Sequence, residues 1–361
     1  MNGPIACLDI DYFFAQAEEL RNPSIRGKPV VVCVYSHRAP DSGAVATSNY
    51  VARRFGVKSG MPIKTAKHLL RNVDAVFLPL DKQYYGELST KVFEIAGKYS
   101  DSIETASIDE AFLDLSFVTG GSYDAAEPLM MELKHEIREK VGLSCSVGVA
   151  KNKLLAKMAA DDAKPDGLVV VRPESVLDYL GAKGVGEIPY VGKKTAEVLN
   201  EMGVKTVRDL WGVSIDRLVD RFGLRMGRFL YLSSRGEYPS QVTPREGLKQ
   251  MSRIITLKRN TKDEEEVWEQ LDKIIPELAG RLKRENLSFR GVSVLGFTRD
   301  LKLISRSSLI HQYTQDLGEL SSVVRRLLRE LLASPGGELR RVGIKVYELR
   351  TEKGQSRLTD Y

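Results

Sequence analysis

The chain has 361 residues, 42% of them hydrophobic and 28% charged, enough material for two to four packed units rather than a single core. This composition excludes a disordered or collagen-like chain. The start, MNGPIACLDIDYFF, has no basic leader and carries two aspartates inside its apolar stretch. No run of about 18 uncharged apolar residues is present to cross a bilayer, so a cytoplasmic protein without a membrane partner is expected. The net charge of +6 is unevenly placed: from Arg245 onward there are 23 Lys/Arg against 17 Asp/Glu, while residues 1–244 balance at 31 each. An excess confined to the last third suits a polyanion partner, although a soluble basic surface accounts for it equally well until motifs are added. Cys7, Cys33 and Cys145 lie far apart in apolar, strand-like contexts without zinc-ligand spacing, and are expected as small buried residues in a reducing compartment.

In chain order, Ile5–Ile10 reads as a strand and Phe13 to about Leu20 as a helix. Pro29–Val34 is a β-branched run typical of a strand buried on both faces. Gly43–Thr47 leads into a helix over Asn49–Phe55, stopped by Gly56, and another helix begins near Pro62. A short strand at Val76–Leu80 precedes a helix at Tyr84–Tyr99. Strands at Ile103–Ser107 and Ala111–Leu115 are joined through Ile108-Asp109-Glu110, followed by a helix at Ala125–Glu139, a strand at Leu143–Val149 and a helix at Lys153–Ala163. Lys164-Pro-Asp-Gly167 breaks the pattern. Residues 168–237 read as short helices with glycine turns, and Tyr238–Leu248 as a linker. Beyond it, Met251–Lys258, Glu264–Arg284, Arg290–Phe297, Leu303–Ser307, Leu317–Leu332 and Arg340–Tyr347 give a βαββαβ order, a small split α+β unit.

Asp9 closes an apolar strand, and Asp109-Glu110 sits in a tight connection between two others. A charge in such a place is costly unless something compensates it. Taken singly, each acid reads more simply as turn or capping chemistry, and helix capping is the expectation for Asp11. Three acids at strand ends of one α/β block suit magnesium, which takes hard oxygen ligands. Two such ions about 3.5–4 Å apart stabilise the attacking and leaving oxygens of an in-line displacement.

The segments LDIDYFFAQAEE, GAVATSNYVARRFGVKSGMP, ASIDEAFLDLS, SVGVAKNKLLAKMAADDAKPDGL and LRRVGIKV stand in the order and spacing of Y-family DNA polymerases. The chain resembles that family, most nearly its archaeal polymerase-IV-like branch, from about residue 5 to 348. The resemblance implies an α+β, multidomain right-hand polymerase: a ferredoxin-like palm (1–12 and 78–167), small fingers (13–77), a helical, helix-hairpin-helix-like thumb (168–237), a linker (238–248), a little finger (249–348) and a flexible tail (349–361). It further implies a monomeric, low-fidelity DNA-directed DNA polymerase that extends primer-template DNA with dNTPs past damaged bases. Asp9, Asp109 and Glu110 would be catalytic and, with the Ile10 carbonyl, would hold two Mg2+ ions, for which Mn2+ could substitute.

Tyr50 and Arg53, three residues apart on a helix, would reach the same neighbour. Phosphoryl transfer needs positioning and charge neutralisation more than covalent chemistry. By the resemblance, Tyr50, Arg53, Lys164, Thr47, Tyr12, Phe13 and Phe14 would meet the incoming dNTP, with Phe14 as the steric gate against a 2′-hydroxyl. Ile188–Ala196 resembles a helix-hairpin-helix in which Tyr190 replaces the first glycine; Lys193 and Lys194 follow it. Arg253, Lys258, Arg259, Arg299, Lys302, Arg306, Arg340 and Arg341 fall on strands or strand ends as candidate DNA-backbone contacts. The acidic run Asp263–Glu266 is expected to open a solvated helix. Gln355, Leu358 and Tyr361 resemble a sliding-clamp-binding peptide with one aromatic where two are usual.

Three rival readings have specific weaknesses. A haloacid-dehalogenase-type phosphatase shares Asp9-Ile-Asp11, but Phe13 stands where Thr or Val is expected. A palm-based nucleotide cyclase shares the metal chemistry and needs no basic last domain. A non-catalytic DNA-binding scaffold would need no intact acid set.

Overall fold

Strand β1 (Ile5–Ile10) is buried along its whole length. In this computed structural model, which describes residues 3–36, 38–244, 247–334 and 336–351, it is followed by α1 (Phe13–Arg21), β2 (Val30–Tyr35), β3 (Gly43–Ser48), α2 (Tyr50–Arg54), α3 (Ile63–Leu69), β4 (Val76–Pro79) and α4 (Lys82–Ala96). Next come β5 (Ser102–Thr105), β6 (Glu110–Asp114), α5 (Tyr123–Val141), β7 (Cys145–Ala150), α6 (Lys153–Asp162) and β8 (Leu168–Val170). Helices α7 (Val176–Gly181), α8 (Lys193–Glu201), α9 (Val207–Trp211) and α10 (Ile215–Ser233) then pack around a shared core with α6. The last stretch is β9 (Gln250–Thr261), α11 (Glu264–Arg284), β10 (Leu287–Thr298), β11 (Leu303–Thr314), α12 (Leu317–Leu332) and β12 (Leu339–Thr351). Contacts divide the chain into one unit of Met1–Cys33, Val45–Met61 and Thr65–Arg245 and another of Val34–Ala44, Pro62–Lys64 and Glu246–Tyr361. No helix among the described residues is long and apolar enough to cross a membrane. Cys7, Cys33 and Cys145 are all buried.

The first unit is organised by a sheet in the order β5-β6-β1-β7-β8, with β1 antiparallel to both β6 and β7. Alternation along a strand sends successive side chains to opposite faces. Ala6, Leu8 and Ile10 join the core formed with Tyr85, Leu88, Met130 and Leu133 of α4 and α5. Ile5 and Cys7 join Leu154, Ala156 and Met158 of α6 on the other face. Asp9 has the parity of Ile5 and Cys7, so it belongs to the α6 side. Its register partners Glu110 and Ser146 share that face, as does Gly148 opposite Cys7.

The linker begins on the first unit rather than free of it. Tyr238 and Val242 pack on the α6-side core, and the Thr243 N–H donates to Glu104 at 2.9 Å.

In the second unit the sheet order is β11-β10-β12-β9, and one face is filled by apolar residues of α11 and α12. The βαββαβ order is as the sequence implies, but the final strand pairs through Thr351 (Leu287↔Thr351, Phe289↔Leu349). The tail boundary at 349 is therefore corrected: residues 349–351 are strand, and Gln355, Leu358 and Tyr361 lie outside the described residues. The acidic run is also not simply solvated. Asp263 caps α11 through the Glu266 N–H, while Glu264 and Glu265 pair with Arg329 and Arg325 of α12.

Gly148 sets how closely α6 approaches the first sheet. A Cβ there would lie 2.1 Å from Ala160 N and 2.2 Å from Ala156 O, both main-chain atoms of α6. Glycine is required for backbone approach this close. Gly148→Ala is expected to destabilise the protein by about 3 kcal/mol, read as a lowered urea midpoint.

Candidate active site

Asp9 and Glu110 face each other across β1 and β6, and the Ile10 N–H holds the Asp109 carbonyl at 2.9 Å. The three acids predicted from the sequence are thus brought to one end of two interior strands of the sheet. Asp109 is further fixed by Ser107, whose hydroxyl donates to the carboxylate and accepts the Asp109 N–H. Glu110 Oε2 accepts from Lys157 on α6, and Asp9 Oδ2 accepts from Lys164 at 2.7 Å. Lys164 also meets Asp161 at 3.1 Å.

Burial drives the Asp9 carboxyl up to about 6; Lys164 opposes the rise and Asp109 repulsion adds to it. Burial is likewise the largest influence on Lys164 and lowers it, yet Asp9 and Asp161 together outweigh burial and hold this ammonium above the ordinary lysine value. The two partners therefore respond differently. Asp9 is drawn down by Lys164 and more weakly by Lys157 but faces burial and the like charge of Asp109, whereas Lys164 gains two carboxylates. Lys157 follows the same logic: burial lowers it, and the hydrogen bond and charge of Glu110 raise it further.

The capping expectation for Asp11 is overturned. Tyr12, with φ 36°, occupies the N-cap position of α1, and no side chain caps that helix. Asp11 is fully buried and accepts from Ser144 Oγ (2.9 Å), Ser146 Oγ (2.7 Å) and the Asp166 N–H (2.9 Å). It therefore ties the loop after α6, which carries Lys164, to β7. Buried Lys134 holds the same loop from α5, donating to Cys145 O (2.6 Å), Gly167 O (3.0 Å) and Asp166 Oδ1 (3.1 Å).

Helix α2 is set by Asn49. Its buried side chain caps the helix through the Ala52 N–H and accepts from Val30 N, while its amide donates to Glu19 and Lys28 O. Arg53 Nε donates to Ser48 O at 2.9 Å, and its guanidinium lies 4.9 Å from the centre of the Tyr50 ring. The Tyr50 hydroxyl is buried without a hydrogen-bond partner, an unusual condition that invites a ligand oxygen. Tyr12 packs edge-on against Tyr50 and donates to Glu19. Phe13 is 2% exposed and belongs to the core, so what it can offer a nucleotide is the N–H at the start of α1. Phe14 is half-buried and stacked on Tyr85 at 4.6 Å. Thr47 is half-buried on β3.

The donor set of Asp9, Asp109, Glu110 and the Ile10 carbonyl is the hard-oxygen chemistry that magnesium takes. As they stand, no three His, Cys, Asp or Glu side chains among the described residues enclose a metal position; Asp9 and Glu110 are each turned onto an ammonium instead. A cavity of about 1040 Å³ lies elsewhere in this unit, beside Tyr123, Asn152 and Tyr238.

The DNA-contact candidates separate into two groups. In the helical region Tyr190 adopts φ 70°, the left-handed conformation its missing glycine would supply, and is 67% exposed; Lys193 and Lys194 open α8 after it. In the second unit Arg253 and Arg306 are opposite the core residues Ile344 and Val294, so they project to the helix-covered side. There Arg253 pairs with Glu277 and Arg306 donates to Ser334, while Arg259 pairs with Glu266. Arg253 and Arg259 nonetheless keep 44% and 77% of their side chains exposed. Lys258 and Arg341 have the opposite parity, and Arg299 and Lys302 are exposed at the β10–β11 turn. Arg340 keeps its Nε buried without a partner. Lys345, opposite Ser252 and Ser293 on the uncovered face, was missed. Lys157 was missed as well, because the carboxylate it meets, Glu110, stands on a strand 47 residues earlier.

Comparison with known proteins agrees with this arrangement. Residues 8–161 match the impB/mucB/samB family, 248–359 that family's C-terminal domain, and 186–237 a thumb domain of the DNA polymerase-iota type. DNA polymerase IV of Nitrosopumilus maritimus is 41% identical over 355 residues, 98% of each chain. DNA polymerase IV of Methanosarcina acetivorans is 39% identical over the full length of both. A solved Y-family DNA polymerase chimera (Dbh-Dpo4-Dbh) superposes with a TM-score of 0.90 at 37% identity, covering 96% of this chain and 98% of that one. These likenesses define the class, a DNA-directed DNA polymerase. The chain belongs to the impB/mucB/samB family, the Y-family of translesion DNA polymerases.

Because Asp9 ionises near 6 when folded against an ordinary 3.8, its contribution to stability is fully present below about pH 4 and is lost as pH rises through about 6. In metal-free protein, the wild type is expected to lose about 2–3 kcal/mol more than Asp9→Asn between pH 4 and pH 8, measured by urea denaturation at both pH values.

Proposed function

We propose that this chain extends a primer along a DNA template by phosphoryl transfer from dNTPs at the Asp9–Asp109–Glu110 site, and does so past damaged bases. The observation that carries the reading is the facing of Asp9 and Glu110 on neighbouring strands, with Asp109 beside them in the β5–β6 turn and two lysines supplying the opposing charge. Two magnesium ions would be held by the three carboxylates and the Ile10 carbonyl; when bound they supply charge stabilisation to the attacking and leaving oxygens.

The remaining work falls to this chain's own groups. Arg53 would bring a forked donor to the triphosphate, Tyr50 its unpartnered hydroxyl, and Lys164 a point charge once released from Asp9. The main-chain N–H groups after Tyr12 would meet phosphate oxygens at the start of α1, with Thr47 adding a hydroxyl. Phe14, backed by Tyr85, would close the space beneath the sugar and exclude ribose by bulk.

The chain reads as palm (1–12 and 78–167), fingers (13–77), thumb (168–237), linker and little finger, acting as a cytoplasmic monomer. Lys193, Lys194, Lys258, Arg299, Arg340 and Arg341 would meet the DNA backbone. Similarity to the solved insertion ternary complex of Dbh DNA polymerase supports a DNA substrate. The segment with Gln355, Leu358 and Tyr361 would dock on the sliding clamp.

Primer extension with template, Mg2+ and dNTPs tests this reading. Wild type is expected to extend, and Asp109→Ala/Glu110→Ala to lose activity by ~10³-fold or more with an unchanged circular dichroism spectrum. Failure of the wild type to extend rejects the reading. Phe14→Ala is expected to raise ribonucleotide incorporation by on the order of 100-fold, measured as the rNTP to dNTP ratio of kcat/KM. An unchanged ratio removes the gate assignment.

A further inference from the structure

Lys157 is the cation at this site for which the proposed chemistry has no use. It lies on α6, held against β7 through the contact of Ala156 and Ala160 with Gly148, and its side chain is largely buried at Glu110. Three carboxylates meet two ammonium groups here: Lys157 on Glu110 and Lys164 on Asp9. An ammonium within hydrogen-bonding reach of a carboxylate stands where a metal ligand bond would form, so ion and lysine compete for the same oxygen lone pairs. The failure of the acids to enclose a common point among the described residues follows from these two pairings.

We propose that Lys157 is a resident counter-cation: it neutralises Glu110 until a divalent ion arrives, must leave Glu110 for that ion to bind, and so sets the divalent-ion affinity of the site. The inference rests on the two-metal reading given above. A destination for the displaced ammonium is at hand. Asp161 lies four residues on along α6, the spacing at which helical side chains meet, and it is half engaged by Lys164. When Lys164 moves to a triphosphate, Asp161 is released to take Lys157. As ion and nucleotide enter, Lys164 thus leaves Asp9 and Asp161 for the triphosphate and Lys157 passes from Glu110 to Asp161.

The test uses metal-free full-length protein, with Mn2+ as the probe and free Mn2+ read by electron paramagnetic resonance. Lys157→Met is expected to bind Mn2+ roughly tenfold more tightly than wild type, and its metal-free melting temperature to fall by about 4 °C or more. Lys157→Arg, which retains the charge, is expected to keep the wild-type affinity within about twofold and so separates charge from packing. In the metal-free state, Lys157→Met/Glu110→Gln is expected to recover the stability that Lys157→Met loses, because both charges go together. Unchanged or weaker Mn2+ binding by folded Lys157→Met overturns the proposal. If Lys157→Met does not fold, failure of the double variant to restore folding overturns it equally. If wild type shows no Mn2+ binding that Asp109→Ala/Glu110→Ala removes, the two-metal reading fails, and this inference with it.

Discussion

Helix α6 rests on strand β7 with no side chain between them at Gly148, and the candidate site depends on that contact. Ala156 and Ala160 fill the place a Cβ would take. Their close approach puts Lys157 over β6 and delivers the end of the helix, with Asp161 and Lys164, to the end of β1. A larger residue at 148 would lift the helix by the width of a methyl group. Ion pairs at hydrogen-bond distance do not survive such a shift, because their strength depends on direct contact and exclusion of water. The geometry that matters to the carboxylates is thus fixed by a glycine and two alanines that touch none of them.

The second level of support is polar and buried. Asp11 and Lys134 carry opposite charges into the interior, and each has its hydrogen-bonding capacity met by β7 and the loop that follows α6. A buried charge with unmet capacity would cost several kcal/mol, so these contacts specify the loop conformation strongly. Lys164 is carried by that loop. Its ammonium is placed from two directions, by helix packing through α6 and by the Asp11–Asp166 and Lys134–Gly167 bonds.

Much of this was legible in the sequence, for identifiable reasons. Strand β1 announces itself through five apolar or small residues interrupted by one acid, Asp9, next to its end. The order of the last six elements follows from periods of two and 3.6, and α11 and α12 begin and end at the residues their patterns imply. The carboxylates could be found because charge at a strand end is locally anomalous. Asp11 was misread because its neighbours in sequence suit a cap, whereas its real partners, Ser144, Ser146 and Asp166, are more than 130 residues away. No local rule reaches that far. Lys157 was overlooked because a lysine on a helix is ordinarily solvated, and its carboxylate comes from a strand 47 residues earlier. The extension of β12 to Thr351 was missed because Glu348 takes φ 51°, interrupting an alternation that pairing with β10 then resumes.

The C-terminal unit shows why a charge count overstates a binding surface. Its excess of basic residues is real, yet Arg253, Arg259, Arg325 and Arg329 are engaged with Glu277, Glu266, Glu265 and Glu264. These pairs knit the helical layer to itself or to the sheet rim, and each contributes little individually because it is partly exposed. What distinguishes the uncovered face is size as well as charge. Ser252, Thr256, Gly291, Ser293, Ser305, Ser307 and Gly343 lie there in register beside Ile254, Leu295, Leu309 and Tyr347, with Lys258, Arg341 and Lys345 among them. The exposed hydroxyls of Ser252, Ser305 and Ser307 and the lysines can meet phosphate oxygens whatever the bases. Contacts of that kind carry no base-specific information, which is the property a polymerase indifferent to template sequence requires.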